Sequence, residues 1–101
     1  MKALEQEKNS YSLSRQKTPR PTHFYCHAPD ANQVLVEGDF NAWTGTPMIR
    51  QSDGWWYLST QVNPGHHRYR FLVDGVKALD PDAMGVGHDE GKGSYSIVAI
   101  N

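Results

Sequence analysis

The chain has 101 residues, with ten Lys and Arg against eleven Asp and Glu for a net charge of −1. That length supplies one core, and that balance supplies no overall basic excess to draw the chain onto nucleic acid or an anionic membrane. Cys26 is the single cysteine, so an internal disulfide is excluded, and no apolar run approaches the roughly 20 residues that cross a bilayer or forms a secretory leader. These features point to a small soluble domain, and the absence of targeting signals assigns it to the cytoplasm.

Residues 1–20 carry five cations and two anions, a balance of +3, whereas residues 21–101 carry five and nine, a balance of −4. The first segment is polar and ends at Pro19-Arg20-Pro21, so residues 1–21 are read as a flexible extension, either a solvated tail or a docking arm for a protein partner. Met1 and this extension favour a whole small protein over a piece of a larger enzyme.

From residue 22 to 101 the pattern is one of short alternating segments broken by turn residues. Phe24, Cys26 and Ala28 alternate with His23, Tyr25 and His27. Val34 and Val36 alternate with Leu35 and Glu37 up to Gly38. Pro47 to Arg50 reads as one short strand before the Ser52-Asp53-Gly54 turn. Trp56, Leu58, Thr60 and Val62 then share a face, and Asn63-Pro64-Gly65 turns the chain. Tyr69, Phe71 and Val73 share the next inward face, with Arg68, Arg70 and Leu72 outside, and Asp74-Gly75 marks a hairpin to Val76–Leu79. A loop with Gly85, Gly87, Gly91 and Gly93 leads to a last strand, Tyr95 to Ile100. Seven or eight short strands without an amphipathic helix predict an all-β, antiparallel sandwich of immunoglobulin type, with a small barrel as the alternative. The predicted core is Phe24, Val34, Val36, Phe40, Trp56, Leu58, Tyr69, Phe71 and Val73.

Catalysis needs a nucleophile, a base and an orienting group together, and no such constellation is visible. Cys26 falls on an inward face and reads as a core residue. His23 and His27 share a strand face but lie about 13 Å apart at ~3.3 Å per residue, too far for one zinc ion. His66 and His67 point to opposite faces. Asp80, Asp82, Asp89 and Glu90 stand in a loop, where turn formation competes with a carboxylate pair or a calcium site. The expectation is therefore no enzyme, no metal and no cofactor. Trp43, just past a strand end, has two readings. It is either a plug folded onto the core or an exposed flat platform of the kind that stacks on the apolar face of a sugar ring.

Val34-Leu35-Val36-Glu37-Gly38-Asp39-Phe40-Asn41-Ala42-Trp43 resembles the V-x-L-x-G-D-F-N-x-W signature of family-48 carbohydrate-binding modules. Pro47-Met48, Asp53-Gly54-x-Trp56, Pro64-Gly65, Tyr69-Arg70-Phe71-Leu72-Val73-Asp74-Gly75 and Asp80-Pro81 follow in that family's order. The family includes the glycogen-binding domain of the AMP-activated protein kinase β-subunit and the N-terminal domains of isoamylases and branching enzymes. The resemblance implies an immunoglobulin-like fold over residues 22–101. It also implies non-catalytic binding of α-1,4-linked glucan (glycogen, starch or maltooligosaccharide), as an accessory domain or partner of a glycoside hydrolase or branching enzyme. Trp43 matches the first stacking Trp, and Arg70 stands where a Lys donor is usual. The second stacking Trp falls at Lys77, and the sugar-binding Asn falls at Tyr95. Asn41, inside the signature, completes the carbohydrate-binding set. Tyr95 is open to two readings, a replacement platform or a plain sheet residue. Leu79 and Trp55 are further candidates for the rim, Trp55 alternatively packing on a neighbouring strand. The departures at Lys77 and Tyr95 imply weak binding, or a regulatory, protein-binding domain on the same fold.

Overall fold

In the computed structural model, residues 18–101 are described. The predicted flexible extension lies mostly outside them. Among the described residues nine strands form two antiparallel sheets. The smaller sheet has the order β1 (Arg20–His27), β5 (Trp55–Val62), β4 (Ile49–Arg50). The larger runs β3 (Thr46–Pro47), β2 (Val34–Gly38), β6 (Gly65–Val73), β9 (Gly93–Ile100), β8 (Gly85–Asp89), with β7 (Val76–Ala78) paired to β6. The sheets stack into a sandwich of immunoglobulin-like architecture, as the alternation predicts.

Period-two alternation sets each inner face. In β1, Thr22, Phe24 and Cys26 are buried while His23, Tyr25 and His27 are exposed. The core gathers Phe24, Cys26, Val34, Val36, Trp56, Tyr69 and Phe71, and the ring of Tyr69 meets Phe24 edge-on at 5.0 Å. Phe40, Leu58 and Val73 pack against this cluster but are only partly buried; Val62, on the face shared with Trp56, is buried, and Ala31 and Met48 are buried core residues that the alternation does not mark. Burial raises the pKa of the Cys26 thiol, with Asp80 adding to the effect, which suits a core role. Trp56 donates its indole N–H to the Ala28 carbonyl at 3.0 Å, so its one polar atom is satisfied inside the sandwich.

Two elements differ from expectation. The predicted strand from Pro47 to Arg50 is two. β3 pairs with β2 in one sheet, β4 pairs with β5 in the other, and buried Met48 carries the chain across. Pro47 has no N–H to continue a ladder, which fits an edge position followed by a change of sheet. The glycine-rich segment read as loop contains β8, paired residue for residue with β9. Its glycines hide a strand because they have low β-propensity, yet the space is needed. A Cβ on Gly87 would stand 2.5 Å from the Tyr95 ring. The Asp74-Gly75 hairpin forms as predicted, with both residues at positive φ (50° and 85°).

Candidate functional site

The G-D-F-N-x-W segment leaves β2 and turns through a 3-10 helix over Asp39–Asn41. Each residue in it has a separable task. Gly38 allows β2 and β6 to meet, since a Cβ there would lie 2.7 Å from the Arg68 carbonyl oxygen and 2.6 Å from the Phe40 ring. Asp39 accepts the Arg68 backbone N–H at 3.0 Å through Oδ2, and its Oδ1 meets His67 Nδ1 at 2.7 Å. Phe40 stacks on Phe24 at 5.4 Å. Asn41 accepts the Gly38 N–H at 2.9 Å and donates to the Val36 carbonyl at 3.0 Å and to Thr46 Oγ1 at 2.9 Å. Its amide is thereby committed to closing the loop.

Ala42 and Trp43 then both take left-handed backbone conformations, φ 56° and 59°. Non-glycine residues adopt these at a cost of about 1 kcal/mol or more each, so the surrounding contacts must hold them. The Trp43 N–H donates to the Gly38 carbonyl at 2.8 Å, one such contact. The result turns the indole away from the core and over the outer face of the larger sheet, where two cations meet it. Arg70 Cζ lies 5.2 Å and Lys92 Nζ 5.0 Å from the ring centroid.

Arg70 is on the outer face, as the alternation predicts, but it is only 5% exposed. It stands directly opposite Glu37 of β2 and donates from Nε to Glu37 Oε2 at 2.6 Å. Its Nη1 donates to the backbone carbonyls of Lys92 and of Ser94, the latter at 3.2 Å. On β6 this is the point where pairing with β9 stops, at Tyr69–Ser96, and pairing with β7 begins, at Phe71–Ala78. The guanidinium closes that junction and anchors the β8–β9 turn that brings Lys92 to the indole. Asp89 shapes the same turn. Its Oδ1 accepts the Gly91 N–H at 2.7 Å and the Lys92 N–H at 3.2 Å, and these bonds hold its carboxyl below the ordinary 3.8.

Beside Arg70 a hollow of about 120 Å³ is lined by Lys77, Ala78, Leu79 and Ser94. Lys77 is exposed across from Leu72. Tyr95 shares the face one strand further out, but its ring lies over Gly87, with Arg68 Cζ 5.3 Å from its centroid. Trp43, Arg70, Lys77 and Leu79 thus belong to one surface, with Tyr95 at its margin and Asn41 inside the supporting loop. Trp55 does not join them. It pairs with His27 on the outer face of the smaller sheet. Sequence reasoning missed Glu37 and Lys92. Glu37 becomes legible once the β2–β6 register sets it against Arg70, whereas Lys92 sits in a glycine-flanked turn with no local mark. A flat ring beside cationic donors and a small hollow is equipped to stack on an apolar face and hydrogen-bond hydroxyl oxygens. Among the described residues no group of His, Cys, Asp or Glu side chains is placed to hold a metal ion, and no helix is long and apolar enough to cross a membrane.

A family model described as the glycogen recognition site of AMP-activated protein kinase matches residues 20–100, and the chain belongs to that family. It is 32% identical over 79 residues to the 1,4-alpha-glucan branching enzyme GlgB of Lactobacillus acidophilus, covering 74% of this chain and 12% of that protein. It is 36% identical over 52 residues to the chloroplastic protein FLOURY ENDOSPERM 6 of Oryza sativa, covering 50% of this chain and 10% of that one. The chain therefore spans about a tenth of the length of these curated relatives. A solved structure from Salmonella typhimurium, described as a "Putative alpha Amylase", shares the fold, with a TM-score of 0.64 at 23% identity over 82% of this chain and 14% of that one.

Proposed function

We propose that this domain binds α-1,4-linked glucan without catalysis, as a targeting module for glycogen, starch or maltooligosaccharide. The observation that carries this is the Trp43 indole held outward beside Arg70 and Lys92. In this reading a glucosyl ring stacks on Trp43, the exposed Lys77 faces its hydroxyls, buried Arg70 supports the indole, Tyr95 bounds the site, and Asn41 acts by fixing the loop. One platform and a cation supply only about 4 kcal/mol, a Kd near millimolar for a single chain. Branched glucan, with its many chain ends, raises that by avidity where several modules act together. The family and the branching-enzyme relatives support a role beside a glucan-processing enzyme.

Migration in a native gel containing glycogen tests the reading. The chain is expected to be retarded, and Trp43→Ala to be retarded less, with an unchanged melting temperature. A folded Trp43→Ala variant that is still fully retarded overturns the site. A second reading, a protein-binding domain on the same fold, draws on the commitment of Arg70 Nε and Nη1 to Glu37 and two carbonyls. A wild-type chain that is not retarded would favour it.

A further inference from the structure

The outer face of the smaller sheet carries a second aromatic surface. Alternation in β1 and β5 sends His23, Tyr25 and His27 outward beside Trp55 and Tyr57. Cross-strand pairing sets His27 against Trp55, with ring centroids 4.8 Å apart, and Tyr25 against Tyr57, at 5.2 Å. Tyr25 is 55% and Trp55 41% exposed, and Ile49 of β4 extends the surface at 62%. None of these rings packs into the core, which their inward neighbours Phe24, Cys26 and Trp56 fill.

The face is neither flat nor purely apolar. An open groove of about 690 Å³ runs along it, floored by Tyr25, Trp55 and Tyr57 and walled by Gln51–Asp53 and Asp82. The walls offer two carboxylates, an amide and a hydroxyl, and among the described residues no Lys or Arg lines the groove. That chemistry disfavours a phosphorylated or otherwise anionic ligand and suits a neutral polyol, whose hydroxyl protons the carboxylates accept and whose C–H faces the rings cover. Rings two residues apart on β5 are separated by about 7 Å, a spacing that adjacent sugar units of one chain can span.

We propose that this groove is a second glucan-binding site, on the face of the sandwich opposite Trp43, so that one domain engages two glucan chains or two branches of one polymer. The proposal rests on reading glucan as the ligand, but it uses none of the residues assigned to the Trp43 site.

Two single variants separate the faces. Maltoheptaose is titrated into wild-type chain, Trp43→Ala and Trp55→Ala, and backbone amide shifts are followed by NMR. In Trp43→Ala the amides around Tyr25, Trp55 and Tyr57 are expected to shift saturably as in wild type. In Trp55→Ala those shifts weaken at least tenfold in apparent affinity while the shifts around Trp43 persist. If Trp55→Ala fails to fold, Tyr25→Ala serves in its place. Wild-type shifts confined to the Trp43 surface overturn the second site and leave glucan binding at Trp43 standing. Shifts confined to the Trp55 groove do the reverse, and silence on both faces overturns both. Loss of a wild-type dimer in Trp55→Ala by sedimentation, without sugar-induced shifts at the groove, would show instead that this face meets a second copy and would overturn the proposal.

Discussion

The two outer faces of the sandwich use aromatic residues in opposite ways. On the larger sheet a single indole is held by a strained loop and two cations, above a buried Arg70–Glu37 pair. On the smaller sheet a row of rings stands on regular strands, each paired with its neighbour, with acidic and amide groups along the side. The first surface depends on loop closure and buried charge, so it fails when a remote partner is lost. The second depends only on strand alternation, so it persists as long as β1 and β5 pair. Pre-organisation by a loop concentrates recognition in few atoms, whereas presentation by a sheet spreads it over area.

The largest effect that separates the faces comes from Glu37. Its side chain and that of Arg70 are 11% and 6% exposed, so Glu37→Ala leaves a buried cation unpaired and is expected to cost about 3–5 kcal/mol by urea denaturation. Any molecules still folded should lose the Trp43 surface first. A cost below about 1 kcal/mol would mean that the backbone carbonyls of Lys92 and Ser94 alone satisfy the guanidinium.

Next comes Asn41→Ala, which strips partners from the Gly38 N–H and the Val36 carbonyl. A loss of about 1–3 kcal/mol is expected, together with weaker glucan retardation and an unchanged Trp55 environment. Retardation equal to wild type would show that the loop holds Trp43 without its amide. Trp55→Ala, by contrast, removes an exposed ring and should alter stability by less than about 1 kcal/mol in the same denaturation experiment. A larger loss would make that ring structural.

The smallest effect is on pH. The Asp89 carboxyl titrates below its ordinary 3.8 because of its bonds to Gly91 and Lys92, so its contribution is complete above that value and is lost as pH falls through the lower, folded one. On acidification below about pH 4 the Lys92 amide should lose hydrogen-exchange protection before the amides of β5 do. Protection lost at the same pH in both places would show that the Asp89 carboxylate does not hold the turn. At the alkaline end, burial and the Asp80 carboxylate, which accepts the Tyr69 hydroxyl at 2.6 Å, push that phenol far above its ordinary 10.0, so it stays neutral in the folded core.

Much of the larger face was readable from residues alone. The alternation through Val34–Gly38 and Tyr69–Val73 places Trp43 beyond a strand end and Arg70 outward, because period two leaves no other choice once Phe71 is buried. The depth of Arg70 was not readable. It depends on Glu37 lying opposite and on the β8–β9 turn folding back, both long-range consequences of register. β8 is hidden because Gly85 and Gly87 suppress the usual strand composition, and the Tyr95 ring explains the glycine at 87. Met48 likewise looks like the middle of a strand until the two sheets compete for the residues on either side of it. The row of Tyr25, Trp55 and Tyr57 is implicit in the alternation of two separate segments. It becomes a surface only when the β1–β5 register sets Tyr25 beside Tyr57 and His27 beside Trp55.

The most direct measurement uses the three indole N–H resonances of Trp43, Trp55 and Trp56 during a maltoheptaose titration. The Trp56 indole is buried and bonded to Ala28, so it serves as an internal reference. The Trp43 resonance is expected to move saturably with sugar while that of Trp56 stays in place. A Trp43 resonance that does not respond at tens of millimolar maltoheptaose would contradict the assignment of this surface as a glucan platform.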